Sequence, residues 1–182
     1  LGSDQETLVT LPYSKTDFGV PSNLILVGTM NTADRSIEAL DSALRRRFTF
    51  LEKAPEPELL ENERYKHSEI DLRKLLETIN SRIETLLDKD HLIGHSYFMG
   101  IKTLSDIQSV FKNKIIPLLE EYFYGKPQII GMILGPAFIQ EKNEVSFFSE
   151  FDSDYSNIAE KKCFNVIIPE DWEAYRSIYA GN

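Results

Sequence analysis

Residues 27–50 read "VGTMNTADRSIEALDSALRRRFTF", and how this stretch is read decides the fold. Its apolar start continues from Leu24, Ile25 and Leu26, so 24–29 is an apolar run broken only by Gly28 and closed by Thr29. A run of this length and type suits a strand covered on both faces, as in a parallel sheet. From Ser36 the period changes. Ile37, Leu40, Ala43 and Leu44 recur at helical spacing, and the helix is expected to end near Arg46. Residues 48–52, "FTFLE", read as a second short strand, with aromatic and β-branched side chains.

The polar groups that punctuate this pattern are the candidate chemistry. In open α/β sheets, ligands bind beyond the carboxyl ends of parallel strands, and Asn31, Thr32 and Asp34 follow such an end. The Asn31 amide both donates and accepts, which suits it to hold a nucleophilic water against a phosphate oxygen. Asp34 would orient Asn31 or a nearby cation. The same residue types are ordinary turn and N-cap residues, and the local pattern by itself favours capping over catalysis. Arg45, Arg46 and Arg47 also have two uses. Cations near a helix C-terminus complement the macrodipole by about 0.3–1 kcal/mol each. An arginine also neutralises charge on a transferring phosphoryl, with a planar fork and a permanent charge. Supplied in trans, such a finger is worth about 10³–10⁵ in rate. Dipole complementation does not call for three cations in a row, so at least one has another task.

Before this stretch, residues 8–11 are β-prone and "PYSKTDFGVPSN" (12–23) is a loop punctuated by Pro12, Gly19 and Pro21. After it, "APEPE" (54–58) is a two-proline linker and a plausible boundary, and the character turns helical. Helices are expected over 59–65 and 70–87. The second carries an apolar stripe of Leu72, Leu75, Leu76, Ile79, Ile83, Leu86 and Leu87. Residues 90–100, "DHLIGHSYFMG", form a loop. Two helical stretches follow, 103–111 and 115–124. Pro117 sits in the first turn of the second, where a missing N–H matters least, and Gly125 ends it. "PQIIGMIL" (127–134) is a further helix, 145–149 and 163–168 pair as a hairpin, and 171–179 is the last helix. Neither an internal repeat nor a low-complexity tract is present.

The totals narrow the class. The chain has 182 residues, 42% of them hydrophobic and 27% charged, with a formal net charge of −9, which describes a globular protein. That acidity argues against general binding of phosphate backbones. One cysteine, Cys163, excludes an internal disulfide and a cysteine-built zinc site; a reducing, cytoplasmic compartment is expected. No apolar run approaches the roughly 20 residues needed to span a bilayer, so no membrane association is expected, and no basic-then-apolar leader is expected.

Four ordered strings carry a resemblance: "MNTADRS" (30–36), "ALRRRF" (43–48), "IGHSYFM" (93–99) and "IIPLLEEYFYG" (115–125). In that order they resemble the AAA+ NTPases, and more narrowly the McrB family, the GTPase subunit of 5-methylcytosine-specific restriction systems. The likeness runs from about residue 8 to 124 and is weaker beyond. It implies an α/β remnant of an AAA+ core with few parallel strands, then a mostly α-helical lid domain, then a short β-hairpin and helix. The implied boundaries are 1–55 for the core part, 56–140 for the lid and 141–182 for a C-terminal extension. Asn31 would be the sensor-1 residue near the γ-phosphate and attacking water, supported by Asp34. Arg46 and Arg47 would be the fingers that reach a neighbouring subunit's nucleotide, with Arg45 a weaker candidate. Thr32, Arg35 and Asp41 would lie near the nucleotide or shape the inter-subunit contact. Gly94, His95 and Ser96 would lie in the lid on the nucleotide side, although a histidine in such a place more often packs or hydrogen-bonds.

The family pattern is incomplete in these residues. A P-loop requires G-x-x-x-x-G-K-[ST], and the one Gly-Lys pair, Gly125-Lys126, is followed by Pro127. No apolar strand ends in the Asp-Glu pair that would hold Mg²⁺. In a complete module both would precede Leu1. GTP or ATP with Mg²⁺ is therefore implied for the complete protein and none for this chain; no metal site is assigned here. Implied partners are further copies of the protein in a ring, a McrC-like nuclease and DNA held by a domain outside this sequence. Two other readings stand beside this one: a MoxR-like or dynein-like remodelling ATPase, and a truncated interaction domain without chemistry. A triphosphate leaves water only for several compensating charges and amides, which Asn31 and Asp34 do not supply. The purified 182-residue chain is therefore expected to hydrolyse neither GTP nor ATP measurably. Turnover that disappears on replacing Arg46 would contradict this.

Overall fold

Leucines and isoleucines at 72, 75, 76, 79 and 83 fall on one face of a helix, and that face is the centre of the molecule's core. Helix α1 spans Leu72–Leu86, and those five side chains are buried. Asp71 starts it as N-cap, its side chain accepting from the Lys74 amide and so satisfying one of the first-turn donors. The computed structural model describes residues 8–21, 23–30, 46–61, 70–142 and 163–180. The chain divides into two compact units, Leu1–Leu40 and Asp41–Asn182.

In the first unit, β1 (Val9–Thr10) pairs antiparallel with β2 (Asp17–Phe18), with Val9 opposite Phe18 and Thr10 opposite Asp17. The Thr10 hydroxyl donates to Asp17 Oδ1 at 2.8 Å. Part of the expected loop thus supplies the second strand of a hairpin. The run 24–29 departs from expectation. It forms no strand, and Ile25 and Val27 are 83% and 86% exposed. A strand exists only through its ladder partners, and the described residues give this run none. Residues 48–52 likewise form no strand. Both described sheets are two-stranded and antiparallel, so the parallel strands expected for an AAA+ remnant are not among the described residues. Of the helix expected over 36–46, all but Arg46 lies outside the described residues.

The second unit is helical, as expected for its lid-like portion. Residues 57–61 form a short 3-10 turn where a helix over 59–65 is expected; 62–65 lie outside the described residues. Helix α2 (Leu104–Val110) runs through a π turn (111–115) directly into α3 (Ile116–Tyr122). The two expected helices are therefore one continuous rod with a widened turn. The Ile116 amide reaches back to the Phe111 carbonyl, which spaces the backbone for Pro117 inside the rod. In a regular α-turn its ring would meet the carbonyl four residues earlier. Helix α4 spans Pro127–Leu134, as its sequence predicts. A Cβ at Gly131 would lie 2.6 Å from Ile139 Cδ1, so a larger residue there would make the Ile139 side chain shift where α4 meets strand β3 (Ile139–Glu141). Strand β4 (Phe164–Val166) pairs antiparallel with β3, Gln140 opposite Asn165. Its partner is therefore 139–141; the expected partner, 145–149, lies outside the described residues. Helix α5 (Trp172–Ala180) closes the unit, its Ala174 amide capped by Asp171 at 2.9 Å.

Four aromatic rings join these elements. Phe111 lies 6.3 Å from Phe98, 5.5 Å from Phe138 and 5.0 Å from Tyr175 between ring centroids. Polar ties hold the periphery: Arg82 donates to the Ile133 carbonyl at 2.6 Å, near the end of α4, and Gln108 donates to the Pro169 carbonyl at 2.9 Å.

The capping box of α2 yields a pH prediction. Asp106 accepts from the amides of Lys102 and Thr103 at 3.0 and 2.9 Å, and its own amide donates to the Thr103 hydroxyl oxygen. These bonds, the Lys102 amide first, hold its pKa below the usual carboxylate value. A depressed folded pKa gives stability that is fully present above the unfolded value of about 3.9 and lost as pH falls through the folded one. Asp106→Asn is therefore expected to be less stable than the parent at pH 7. The two urea midpoints should draw together as pH falls below the usual carboxylate value; a gap that widens on acidification contradicts the assignment.

Candidate functional site

Arg46 and Arg47 stand in an exposed turn. Neither makes an ion pair or side-chain hydrogen bond among the described residues. In a chain with 29 acidic residues against 20 basic ones, two adjacent arginines without a carboxylate partner are chemically available. Exposed guanidiniums of this kind keep all five N–H donors for an external anion.

From that turn an arm runs over 48–56 to the 3-10 turn. Two of its residues are tied to the loop that carries "IGHSYFM". Lys89 Nζ meets Glu52 Oε1 at 3.1 Å, and this carboxylate raises the Lys89 pKa above its ordinary value. The Glu56 amide donates to His95 Nδ1 at 2.9 Å. Glu56 lies between Pro55 and Pro57, so its N–H is the only backbone donor of the three residues. With Nδ1 accepting, the neutral ring carries its proton on Nε2. His95 is half-buried and serves as a hydrogen-bonding residue of the lid, the commoner use noted for it from sequence. Ser96 is exposed beside it.

The loop itself is held from below. Asn80, on the buried face of α1, donates from Nδ2 to the Ile93 carbonyl at 2.9 Å and accepts from the Ile93 amide at 2.8 Å. At the loop's other end His91 Nδ1 lies 2.6 Å from Asp88 Oδ1, and this bond holds the Asp88 carboxyl below its usual pKa. The His91 ring meets Tyr122 edge-on, centroids 4.8 Å apart. Removing the Asn80 amide strands two backbone groups of the buried Ile93. Asn80→Ala is expected to cost about 1–3 kcal/mol for each group left unpaired, measured by urea unfolding; a loss below about 0.5 kcal/mol would show that the loop does not depend on it.

Of the sequence-predicted site residues, Arg46, Arg47, His95 and Ser96 are described. Asn31, Thr32, Asp34, Arg35, Asp41 and Arg45 lie outside the described residues. The sequence reading missed Glu52, Glu56, Lys89 and Asn80. Two signals were present. An amide at position 80, between Ile79 and Ile83 on an apolar face, needs a buried partner, and a Pro-Glu-Pro segment offers a single N–H. Among the described residues no group of three His, Cys, Asp or Glu side chains could hold a metal ion. Also among them, no helix is long and apolar enough to cross a membrane.

Comparison with known proteins bears on this arrangement. Residues 71–131 match the family model "McrB, alpha-helical lid domain". The chain is 38% identical over 138 residues to the type IV methyl-directed restriction enzyme EcoKMcrB subunit of Escherichia coli (strain K12), covering 65% of this chain and 30% of that protein. It is 32% identical over 118 residues to the type II restriction enzyme BsuMI component YdiS of Bacillus subtilis (strain 168), covering 56% of this chain and 32% of that protein. The chain thus spans about a third of the length of these curated relatives.

Proposed function

We propose, for a chain that belongs to the McrB family, the role of the C-terminal part of an AAA+ nucleoside triphosphatase in a modification-dependent restriction system. In this reading residues 1–55 complete an AAA+ core, 56–140 form its lid and 141–182 extend it. The core part places Asn31, supported by Asp34, near the γ-phosphate of GTP or ATP. It also lends Arg46 or Arg47 to the nucleotide of the next subunit in a ring. Thr32, Arg35, Asp41 and Arg45 line the same junction. The phosphate cradle and the Mg²⁺-holding carboxylates come from sequence outside these 182 residues. A McrC-like nuclease and DNA bound by another domain complete the system.

One observation carries this reading: two exposed arginines without an intramolecular carboxylate partner among the described residues, on a chain whose sequence has nowhere to seat a triphosphate. Such cations suit an anion held by another polypeptide. The test is complementation in mixed assemblies of the full-length protein. Subunits with Arg46→Ala and Arg47→Ala but an intact P-loop are mixed with subunits that have the arginines but a disabled P-loop. Each population alone is expected to be inactive, and the mixture to regain turnover. A mixture as inactive as its parts refutes donation in trans.

A further inference from the structure

The arginine turn and the lid loop are joined by two tethers whose chemistry differs. The first is the Lys89–Glu52 ion pair at 3.1 Å, exposed on both sides. Such a pair is weak as a source of stability, but it joins the arm to the loop at a second point. The second is the bond from the Glu56 amide to His95 Nδ1 at 2.9 Å. The arm ends in Pro55-Glu56-Pro57. Proline fixes φ at 55 and 57, and a residue before proline is driven to extended conformations, so this joint is stiff. The Glu56 carbonyl is also engaged, accepting from the Leu59 amide at 3.2 Å. The loop that holds both tethers is itself fastened to α1 by Asn80 through both backbone groups of Ile93. A connected path therefore runs from the buried face of α1, through Asn80 and the 89–95 loop, to the arm that carries Arg46 and Arg47.

We propose that His95, through Glu56, and Lys89, through Glu52, are positioning residues that set the direction of the Arg46–Arg47 turn, so that the lid of one subunit aims the arginines it offers to the next. This rests on the reading of Arg46 and Arg47 as residues donated in trans. It gives His95 a task different from touching the nucleotide of its own subunit. Misplacing a catalytic group by about 1 Å costs on the order of 10²-fold in rate, so a weak tether is enough to matter.

Two measurements test it, the first without any nucleotide. Spin labels at Arg47→Cys and Glu84→Cys in the 182-residue chain, with Cys163→Ser, report the distance from the turn to α1. The distribution is expected to be narrow in the parent and to broaden with His95→Ala. It should narrow again with His95→Asn, whose Oδ1 restores an acceptor near the place of Nδ1. Lys89→Met, which removes only an exposed pair, is expected to broaden it less and to leave the thermal midpoint unchanged. An unchanged distribution in both His95→Ala and Lys89→Met overturns the inference, whatever the arginines do. The second measurement uses the mixed assemblies described above. Subunits carrying His95→Ala are expected to be about 10- to 100-fold poorer arginine donors but unimpaired when they hold the nucleotide for an intact donor. His95→Ala subunits that donate normally, or fail mainly as nucleotide holders, overturn the inference while leaving donation by Arg46 and Arg47 intact. Failure of the Arg46→Ala, Arg47→Ala subunits to show any donor defect overturns that underlying reading instead.

Discussion

With Arg46 or Arg47 donated in trans as proposed, full-length protein carrying both Arg46→Ala and Arg47→Ala is expected to hydrolyse nucleotide about 10³–10⁵ times more slowly than the parent. Nucleotide affinity should change little, because the proposed role gives these arginines no part in holding their own subunit's nucleotide. The reasoning starts from charge. Charge spreads over the equatorial oxygens of a transferring phosphoryl, and a guanidinium meets two of them with parallel N–H bonds. Lysine offers only a point charge, so Arg46→Lys with Arg47→Lys should recover little of the lost rate. Fold stability should stay within about 0.5 kcal/mol, as for surface substitutions generally, because both side chains are exposed and unpaired among the described residues. The single variants then assign the role: the residue whose loss reproduces the double variant is the finger. Steady-state turnover with GTP and with ATP is the measurement. Rates within about threefold of the parent in the double variant, far from the expected range, would return both arginines to surface duty.

Phe111→Ala is expected to cost about 3–5 kcal/mol of folding stability. Phe111 is fully buried and makes ring contacts with Phe98, Phe138 and Tyr175. Those rings belong to the lid loop, the turn before β3 and helix α5, so one deletion loosens three neighbours. The site also begins the π turn, where Ile116 hydrogen-bonds to the Phe111 carbonyl; collapse of the backbone into the cavity is therefore resisted, which favours the upper end of the range. Against a typical total of about 5–15 kcal/mol, the loss leaves the helical unit marginal. Phe111→Leu, which keeps most of the volume, should cost well under half as much. Urea unfolding followed by far-UV circular dichroism decides it; a loss under about 1 kcal/mol for the alanine variant contradicts the role given to this ring.

The helices were legible wherever one face alone had to be buried. The spacing of Leu72, Leu75, Leu76, Ile79 and Ile83 located α1 to within two residues, and the apolar stretch 127–134 matched α4. The continuous rod from 104 to 122 was not legible, because Pro117 is ordinarily a start signal and nothing local announces a π turn that accommodates it. The pairing of β4 with 139–141 was not legible, because strand pairing depends on residues distant in sequence and that strand is only three residues long. The run 24–29 taught a different lesson: an apolar sequence states what surroundings a segment requires, not that the described part of its chain provides them. At the site, the arginine triplet was visible as a cluster of one residue type. The tethers behind it were not, since Glu52, Glu56, Lys89 and His95 meet only through the folded loop.

The uncovered run has a practical corollary. "LILVGTM" (24–30) contains neither proline nor charge, and short segments of that make-up template cross-β stacking when they are left bare. A net charge of −9 sets copies of this chain against one another. That repulsion fades as the medium approaches the isoelectric point near 4.9 and is muted by high salt. Samples of the chain on its own should therefore keep best in dilute, mildly alkaline, low-salt buffer, and mild acidification should bring out fibrillar precipitate well before the helices melt.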